Sequence, residues 1–505
     1  MADRSPTLTT VAEVLRGAGL SVELRGAGDF AVSGAVQDSR AIGRGDLFLA
    51  WTGTAHDAHD FIGEAAERGA VGAIVERFVD TDLTQLKVDD GRRAAAIAAH
   101  FLMGAPSERL RVAAVTGTNG KTTTTLIARH LLSRSGPAAA LGTLGLVDPD
   151  GQVKGSLEGL TTPGPVRIAQ VLARLEHAGV ELVALEASSH ALHQRRLDGI
   201  RVEVAAFANL SRDHLDYHGS LAEYREAKAH LLDLLGEGGS VVVNAGDPAW
   251  ALLPRIRTRC LAVRLEGDAE VGIPSIAGER LPDLVARQIH LGGSGCRFTL
   301  TWGSEEVGVT LPLLGRFNVQ NALMASAIAL LMGLELDEVA SALADAPPPV
   351  GRLEVTVREP VPVILDYAHT PDALERVLEA LRPLYAGRLI VVFGAGGDRD
   401  REKRPEMGRA AAMGADLAIV TSDNPRTEDP DAIVDEILEG MPGAAFERIT
   451  DRREAIARAL ALAEPGDAVL LAGKGHETYQ IIGTEKRPFD ERDVVREILD
   501  AGRAA

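Results

Sequence analysis

A short glycine-rich segment, GTNGKTT at residues 117–123, lies between the apolar run at residues 112–115 and a stretch with helical character. This order predicts a buried strand that turns directly into a helix. Backbone N–H groups at the helix start, together with the helix dipole, favour bound phosphate. Lys121 would reach the β- and γ-phosphates of a nucleotide, and the Thr122 hydroxyl would face Mg²⁺. The segment therefore predicts an ATP site formed by Gly117, Thr118, Asn119, Gly120, Lys121, Thr122 and Thr123.

Length and composition limit the class of protein. A chain of 505 residues is long enough for about two to four domains. Its 46% hydrophobic and 25% charged residues are typical of an ordinary globular protein. The formal net charge of -19 argues against a non-specific nucleic-acid binder, which needs a cationic surface, but it allows a local anion pocket. We therefore expect small-molecule substrates and no nucleic-acid partner.

Neither a targeting segment nor a membrane anchor is indicated. The first residues contain acidic side chains and a proline, and they lack the apolar run of a secretory signal. No stretch approaches the roughly 18 consecutive apolar residues of a membrane helix. The two cysteines, Cys260 and Cys296, lack metal-ligand spacing and do not suggest a disulfide framework. We expect a monomeric cytoplasmic enzyme that does not insert into a membrane.

Three blocks follow one another along the chain. Residues 1–108 alternate short strand-like runs with Ala-rich helical stretches. Residues 109–346 contain the phosphate loop and the further strand candidates VELVALE and VEVAAF. Residues 347–505 begin after the stiff segment APPP, residues 346–349, which we interpret as a hinge. The alternation of strands and helices predicts an α/β fold with parallel sheets.

The third block contains four apolar runs that each end in small or polar residues. They are VPVILDYAH, RLIVVFGAGGD, ADLAIVTSD and DAVLLAGKGHE. Ligands of open α/β sheets collect where such strand ends meet loops. We therefore expect a second ligand-binding α/β domain that faces the nucleotide domain across a cleft.

Two side chains near the phosphate loop suit a divalent cation. Glu186 ends the apolar run LVALE and His214 lies in NLSRDHLDYHG, and we place them at the ends of neighbouring strands. A carboxylate and an imidazole there could bind Mg²⁺ that also contacts nucleotide phosphates. Taken alone, such a residue is more often a solvated or capping side chain than a ligand, and only the nearby loop favours a metal site.

An ordered series of motifs extends over essentially the whole chain. The motifs are DSRAIGRGDLFLA, TTP, EASSHAL, NLSRDHLDYHG, YREAK, GRFNVQNALMA, DYAHTPDAL, GGDRDREKRPEM, DNPR and GKGHETYQ. Together with GTNGKTT they resemble the Mur ligase family, and within it the UDP-N-acetylmuramoyl-tripeptide synthetases. The resemblance implies a three-domain α/β architecture, with a domain for the uridine end of the substrate, a central P-loop ATPase-like domain with a parallel sheet, and a C-terminal domain with a dinucleotide-fold-like sheet that takes the amino acid. The loop alone is also found in folylpolyglutamate synthetases.

The resemblance implies roles for further residues. The lysine of the YxxAK pattern, Lys228, would be carbamylated by CO₂ and become an anionic Mg²⁺ ligand, whereas on composition alone it would be an ordinary surface lysine. The implied catalytic residues are Lys121, Glu186, His214 and Lys228, and the implied metal ligands are Thr122, Glu186, His214 and Lys228. The far side of the nucleotide pocket would be formed by Asn318, Arg352, Asp366 and His369. Arg352 would reach phosphate only if the third domain closes.

The same resemblance places the UDP-linked substrate. Its uridine diphosphate end would contact Ser39 and the stretch Thr54, Ala55 and His56. The muramoyl-peptide part would be lined by Thr161, Thr162, Ser188, Gln194 and Arg196. Their hydroxyl, amide and guanidinium groups suit pyrophosphate, sugar and carboxylate, although the Thr and Ser residues could also be helix caps. Two departures from the family pattern affect these contacts: Ala58 replaces a frequent Gly, and Leu160 replaces a frequent Asn.

The tetrapeptide DNPR at residues 423–426 indicates which amino acid is added. In the family it marks enzymes that use diaminopimelate, whose second carboxylate is absent from lysine and suits a guanidinium such as that of Arg426. The implied set is Arg399, Asp423, Asn424, Pro425, Arg426, Gly473 and Glu477, with Glu477 paired to the distal ammonium. DNPR could instead be only an Asx-type turn with an exposed arginine. Lysine, ornithine and LL-diaminopimelate are alternatives to meso-diaminopimelate.

The reaction that the resemblance implies is an ATP-dependent ligation in cytoplasmic peptidoglycan precursor synthesis. The D-glutamyl side-chain carboxylate of UDP-N-acetylmuramoyl-L-alanyl-D-glutamate would form an acyl phosphate, which the amine of diaminopimelate then attacks. Such catalysis depends on positioning and charge neutralisation, so that no Ser/His/Asp triad is needed. Three alternatives are another ligase of the superfamily, a catalytically silent nucleotide-binding paralogue, and a simple P-loop kinase or ATPase. The intact Lys121, Glu186, His214 and Lys228 argue against the silent paralogue.

Overall fold

The computed structural model describes residues 6–53, 56–155 and 157–504, with side chains up to residue 501. Three large β-sheets and one two-stranded sheet lie along these residues. Helices connect many of the strands in each large sheet, and the chain is an α/β protein as the alternation of strands and helices predicts.

The N-terminal sheet is mostly parallel. Its strands are β1 (Val22–Arg25), β2 (Gly34–Val36), β3 (Asp46–Leu49), β4 (Gly72–Val75) and β5 (Thr84–Val88), and its helices are α1 (Leu8–Gly17), α2 (Ile62–Glu67) and α3 (Gly91–Leu102). The strand order is β1-β5-β4-β3-β2, in which only β1 is antiparallel to its neighbour. Strand β4 is buried along its whole length, which explains its continuous apolar sequence.

The central sheet contains the phosphate loop. Its strands are β6 (Arg111–Thr116), β7 (Ala138–Gly142), β8 (Gly145–Val147), β9 (Leu182–Glu186), β10 (Val202–Phe207), β11 (Leu235–Asn244), β12 (Arg259–Leu265), β13 (Leu284–Gly292), β14 (Gly295–Trp302) and β15 (Glu305–Leu311). Their order is β15-β14-β13-β12-β11-β10-β6-β9-β7-β8. The accompanying helices are α4 (Lys121–Leu132), α5 (Pro165–His177), α6 (Ser189–His193), α7 (Leu215–His218), α8 (Leu221–Ala229), α9 (Arg316–Leu331) and α10 (Leu336–Leu343).

The middle of the central sheet is parallel, as predicted, but its edges are not. From β7 through β9, β6, β10, β11 and β12 to β13, all neighbours are parallel. At one edge β13, β14 and β15 form an antiparallel meander, and at the other β7 and β8 form a hairpin. In β14, Cys296 and Phe298 are buried and Arg297 between them is exposed. This alternation is the local signal of the meander, which the sequence interpretation did not separate from the parallel core.

The C-terminal sheet is parallel except at one edge. Its strands are β16 (Glu354–Val357), β17 (Val363–Asp366), β18 (Leu389–Phe393), β19 (Leu417–Val420), β20 (Phe446–Arg448) and β21 (Ala468–Ala472), in the order β16-β17-β21-β18-β19-β20. Only β16 is antiparallel to its neighbour. The helices are α11 (Pro371–Leu381), α12 (Lys403–Gly414), α13 (Pro430–Leu438), α14 (Arg452–Leu462) and α15 (Glu491–Ala504), and a separate hairpin comprises β22 (Tyr479–Ile482) and β23 (Glu485–Pro488).

The segment at residues 346–349 is irregular and connects α10 to β16, with Pro347 and Pro348 exposed. Its role as a hinge stays a prediction. Within the described residues, none of the helices combines the length and the apolar character needed to cross a membrane.

Candidate active site

The phosphate loop joins β6 to α4, as its sequence predicts. Gly120 has a φ of 79°, and a side chain there would collide with the amide oxygen of Asn321. Asn209 holds the loop from the side, because its Oδ1 accepts from the Asn119 N–H at 2.8 Å and its Nδ2 donates to the Asn119 carbonyl at 2.9 Å. The protein itself thus fixes the loop, at the end of α4 that favours bound phosphate.

Lys121 folds back over this loop. Its Nζ donates to the carbonyls of Gly117 and Thr118, both at 2.9 Å. Burial lowers the pKa of Lys121, and the neighbouring Glu186 carboxylate opposes that shift. The ammonium therefore lies at the mouth of the loop, where the sequence predicts contact with phosphate.

Glu186 ends β9 and is 2% exposed. Its Oε1 accepts from the Thr143 N–H at 2.8 Å, and its Oε2 accepts from the hydroxyls of Thr122 and Thr143, each at 3.1 Å. These hydrogen-bond partners are neutral, so they do not compensate the carboxylate charge. A buried carboxylate beside threonine hydroxyls is an oxygen-rich donor set that fits Mg²⁺ on nucleotide phosphates.

His214 is not where the sequence predicted it. We expected Glu186 and His214 to end neighbouring strands, and this expectation is wrong because β6 lies between β9 and β10. His214 comes after β10, at the start of α7, with its Nε2 3.4 Å from Asp213 Oδ2. Desolvation lowers the pKa of His214, and Asp213 opposes the shift. The strands that lead to Glu186 and His214 thus flank the strand that carries the phosphate loop.

Lys228 lies on α8 and is 1% exposed. Its Nζ donates to the Gly117 carbonyl at 2.7 Å and lies 4.3 Å from the centroid of the Tyr224 ring. Burial, followed by the charge of Lys121, holds the pKa of Lys228 well below its ordinary value. An ordinary surface lysine, the alternative that composition suggested, is therefore excluded.

A divalent cation here would need ligands from the nucleotide. Among the described residues, His, Cys, Asp and Glu form no group of three or more that could hold a metal ion. Mg²⁺ often takes only one or two carboxylates together with substrate phosphates. Thr122 and Glu186 fit that pattern, and Lys228 would join it only as a carbamate, since its amine offers no anionic oxygen.

A cavity of about 1150 Å³ opens between the phosphate loop and the C-terminal sheet. Arg352 crosses it from the C-terminal side: its Nη2 donates to Thr122 Oγ1 at 3.3 Å, and its guanidinium carbon lies 4.7 Å from the Tyr367 ring centroid. We expected Arg352 to approach the phosphates only after closure of the third domain. In this structure it already contacts the phosphate loop.

Two of the other residues predicted for this pocket line it. Both oxygens of Asp366 are oriented by backbone N–H groups, from Leu353 at 2.7 Å and from Ala368 at 2.8 Å. His369 also lines the cavity, and burial lowers its pKa to about 4. Asn318 is different: its amide donates to the carbonyl of Leu314, just before α9, at 2.8 Å, and the residue does not line the cavity. Asn321, one turn later, does line the cavity and was missed in the sequence.

Four of the five residues predicted for the muramoyl-peptide form one hydrogen-bonded group. The Thr162 hydroxyl accepts from the Ser188 N–H at 3.1 Å. Arg196 donates to the Thr162 carbonyl at 2.8 Å and to Gln194 Oε1 at 2.7 Å. Thr161 adjoins the group and is half-buried. Four of the five residues are thus joined by direct hydrogen bonds.

Ser39 donates to Glu64 Oε2 at 2.9 Å within the N-terminal domain, and His56 is exposed. Thr54 and Ala55 lie outside the described residues.

A second cavity, of about 200 Å³, lies between the N-terminal and central domains and was not anticipated. Arg92, at the start of α3, shares it with Arg196 from the central domain. Leu160 gives this cavity an apolar wall. The lining comprises Gln37, Trp51, Arg92, Glu158, Leu160, Gly164, Pro165, Gln194 and Arg196. Two guanidinium groups in one small cavity suit a phosphate or carboxylate.

The DNPR segment follows β19 and turns sharply. Arg426 has a left-handed backbone with a φ of 52°, and its Nη1 donates to the Gly397 carbonyl at 2.7 Å. The carbonyl of Pro425 lies so close to Gly397 that a side chain there would collide with it. Arg399 donates to the Asp398 carbonyl at 3.0 Å. A side chain added at Gly396 would meet both Arg426 Nη1, at 3.0 Å, and Arg399 Cγ, at 3.7 Å, so the two arginines are neighbours. Desolvation and then the charge of Arg399 lower the pKa of Arg426.

Anionic groups lie beside these cations. Asn424 Nδ2 donates to Glu477 Oε2 at 2.9 Å. Asp423 Oδ2 is buried and has no hydrogen-bond partner in the described part of the chain, and it lies against Gly473, whose φ is 113°. Lys474 was missed in the sequence, although it is buried between Asn424 and Glu477. The sequence feature that could have pointed to Lys474 is its position inside the GKGHE motif.

A phosphate loop with an adjoining carboxylate and buried lysine, facing a second α/β sheet across a cleft, defines the class of nucleotide-dependent ligases. The Mur ligase middle domain matches residues 115–329, and the Mur ligase glutamate ligase domain matches residues 351–475. The chain belongs to the Mur ligase family, and it is therefore an ATP-dependent amide-bond-forming enzyme.

Individual relatives are similar over nearly their whole length. The chain is 40% identical over 498 residues to UDP-N-acetylmuramoyl-L-alanyl-D-glutamate–2,6-diaminopimelate ligase of Gloeobacter violaceus, which covers 97% of this chain and 98% of that relative. It is 41% identical over 469 residues to the enzyme of the same name from Geobacillus kaustophilus, covering 91% and 93%. A solved structure with that name has a TM-score of 0.69 at 32% identity, covering 99% and 100%. MurF ligase from Thermotoga maritima in complex with ADP shares the fold, with a TM-score of 0.64 at 21% identity, covering 94% and 99%.

Proposed function

We propose that this chain joins meso-2,6-diaminopimelate to the D-glutamyl side-chain carboxylate of UDP-N-acetylmuramoyl-L-alanyl-D-glutamate, converting ATP to ADP and phosphate. The observation that carries the proposal is a group of charged side chains beyond the C-terminal sheet: Arg399 and Arg426 meet beside Gly396, and Glu477 is hydrogen-bonded to Asn424, the residue after Asp423. A diamino dicarboxylic acid presents two carboxylates and two amino groups to such a site. Relatives that are 40% and 41% identical bear the name of this reaction.

The first step follows from the cations around the phosphate loop. A D-glutamyl carboxylate oxygen attacks the γ-phosphorus, the bond from that phosphorus to the β–γ bridging oxygen breaks, and ADP leaves an acyl phosphate behind. Lys121 and Arg352 border the loop and neutralise charge on the transferred phosphoryl group. Thr122, Glu186 and His214 would hold Mg²⁺, which when bound supplies further charge neutralisation on the phosphates.

The second step forms the amide bond. The uncharged amine of the diamino acid attacks the acyl carbon, and the tetrahedral intermediate expels phosphate while the nitrogen loses its proton. Arg399 and Arg426 bind the distal carboxylate, and Glu477 binds the distal ammonium. Asp423 Oδ2, which lacks a partner among the described residues, accepts a hydrogen bond from an amino group. These contacts position the amine for attack, which is the main contribution of the protein.

We extend the proposal to a carbamate on Lys228. Its lowered pKa leaves more of the amine neutral, and the neutral nitrogen attacks the carbon of CO₂. A C–N bond forms, one C–O π bond opens, and a proton leaves to solvent, so that the product carries an anionic oxygen suited to Mg²⁺. Protein equilibrated with ¹³C-bicarbonate should show a carbamate carbonyl resonance that is absent from Lys228→Met. If wild type and variant give the same spectrum, the carbamate proposal is wrong.

The reaction itself is tested by an amino-acid panel. Phosphate release is measured with ATP, Mg²⁺ and the UDP-linked dipeptide while only the amino acid changes among meso- and LL-diaminopimelate, lysine and ornithine. We expect meso-diaminopimelate to support the highest kcat/KM, Arg426→Ala to remove that preference, and the exposed Arg409→Ala on α12 to keep it. A preference for lysine would refute the proposed amino acid, and no turnover with any amino acid would refute the proposed ligation.

A further inference from the structure

A lysine side chain is completely enclosed beside the proposed amino-acid site. Lys474 follows β21 and is 0% exposed. Its Nζ donates to Asn424 Oδ1 at 3.1 Å and to Glu477 Oε2 at 3.2 Å. Enclosing an ammonium is costly unless it is paired, and replacing a whole buried ion pair by apolar side chains of similar volume is often neutral or stabilising. Stability alone therefore does not explain why a lysine is buried at this position.

The ammonium orients two groups that face the site. Asn424 Oδ1 accepts from Lys474 and also from the Ile481 N–H at 2.9 Å. Because the oxygen of the Asn424 side chain accepts these two bonds, its amide nitrogen faces Glu477 and donates to Glu477 Oε2 at 2.9 Å. The Glu477 side chain is 15% exposed, whereas that of Lys474 is 0% exposed. Lys474 thus supports Glu477 from behind while the carboxylate keeps an open edge.

The charge of Lys474 also contributes to the net electric charge of the proposed amino-acid site. The site also contains the guanidinium groups of Arg399 and Arg426 and the carboxylates of Asp398, Asp423 and Glu477, and Lys474 adds one positive charge to it. A diamino dicarboxylic acid with its reacting amine uncharged carries one net negative charge. Lysine or ornithine in the same state carries none. The positive charge that Lys474 adds therefore favours the dicarboxylic acid by electrostatic complementarity.

We propose that Lys474 is a positioning residue that also sets amino-acid specificity, holding Asn424 and Glu477 in place and biasing the site against lysine and ornithine. The inference rests on the proposed function, since it concerns the amino acid used in that reaction. It assigns to Lys474 no contact with the reacting atoms.

The test compares kcat/KM for diaminopimelate with kcat/KM for lysine in variants of the full-length chain. Lys474→Met should lower this ratio at least about tenfold, and it should raise KM for diaminopimelate but leave KM for ATP within about twofold. Lys474→Met/Glu477→Gln restores the net charge, so its ratio should return toward that of wild type. The exposed Lys486→Met in β23 is the matched control and should keep the wild-type ratio.

Glu477→Gln keeps the inference testable if Lys474→Met does not fold. It makes the site more cationic, and we expect the ratio to rise. An unchanged ratio in both single variants, or a fall in Glu477→Gln, would overturn the role of Lys474. Failure of the proposed function is recognised separately, because wild-type protein would then release no phosphate with diaminopimelate.

Discussion

The side-chain amide of Asn119 donates to the Asp372 carboxylate at 2.7 Å, and this hydrogen bond connects the phosphate loop to the first turn of α11. The same carboxylate oxygen accepts from the Ser211 hydroxyl at 3.2 Å. Arg212 adds an ion pair with Glu402, at 3.1 Å, between the central and C-terminal domains. The C-terminal domain thus contacts the loop on which phosphate is expected to bind.

Asp372→Ala should weaken coupling between the two domains. A hydrogen bond to a charged acceptor contributes about 1.5–3 kcal/mol, so we expect kcat to fall roughly tenfold or more. Steady-state kinetics with all substrates saturating measures this effect. Asp337→Ala is the matched control, because Asp337 is exposed in the first turn of α10. Equal kcat values in Asp372→Ala and Asp337→Ala would show that the contact is dispensable.

Arg92→Ala should impair binding of the UDP-linked substrate. Arg92 and Arg196 line the same cavity from two domains, and a guanidinium that binds phosphate or carboxylate contributes substantially to affinity. We expect KM for the UDP-linked dipeptide to rise about tenfold, with KM for ATP unchanged. The exposed Arg174→Ala on α5 should leave both values unchanged. A similar rise in both KM values of Arg92→Ala would instead indicate a general structural defect.

Lys228→Met should stabilise the fold most at low pH. The lowered pKa means that the unfolded chain keeps a proton on Lys228 that the folded chain loses between the two pKa values. Wild-type stability therefore rises with pH in that window, by up to about 1.4 kcal/mol per pH unit, whereas the variant lacks this term. Chemical unfolding in CO₂-free buffer should show the advantage of the variant shrinking as pH rises toward the ordinary lysine pKa. A pH-independent difference would contradict the buried amine as its cause.

Arg452→Met should destabilise the C-terminal domain. Arg452 and Glu491 are 1% exposed each, and the Arg452 Nε donates to Glu491 Oε1 at 2.8 Å. Removing one partner leaves a buried charge unpaired, which costs about 3–5 kcal/mol. Differential scanning calorimetry should show a lower Tm, and Arg452→Met/Glu491→Gln should recover much of the loss. Equal melting of the single and double variants would show that the ion pair is not the source of the destabilisation.

The strands and helices around the site could be predicted from the sequence, because neighbouring residues largely determine where each one begins and ends. The apolar run before GTNGKTT predicts β6, and the helix after it begins at Lys121 as expected. The strands that end at Glu186 and Asp366 were also predicted correctly. Hydrophobic periodicity and turn residues act over a few positions, so a single sequence carries these signals.

The environment of each functional group depended instead on residues distant in the chain. Strand order placed β6 between β9 and β10, which the sequence interpretation had missed. On composition alone Lys228 would be a surface lysine, and Lys474 carried no prediction, yet both are buried, with hydrogen bonds to Gly117 and to Asn424. Periodicity and motifs reveal which strands and loops form, but burial and the shift of a pKa arise only when separate strands and domains pack together. For that reason the family and the phosphate loop could be read from the sequence, while the charge state and orientation of the site required the folded chain.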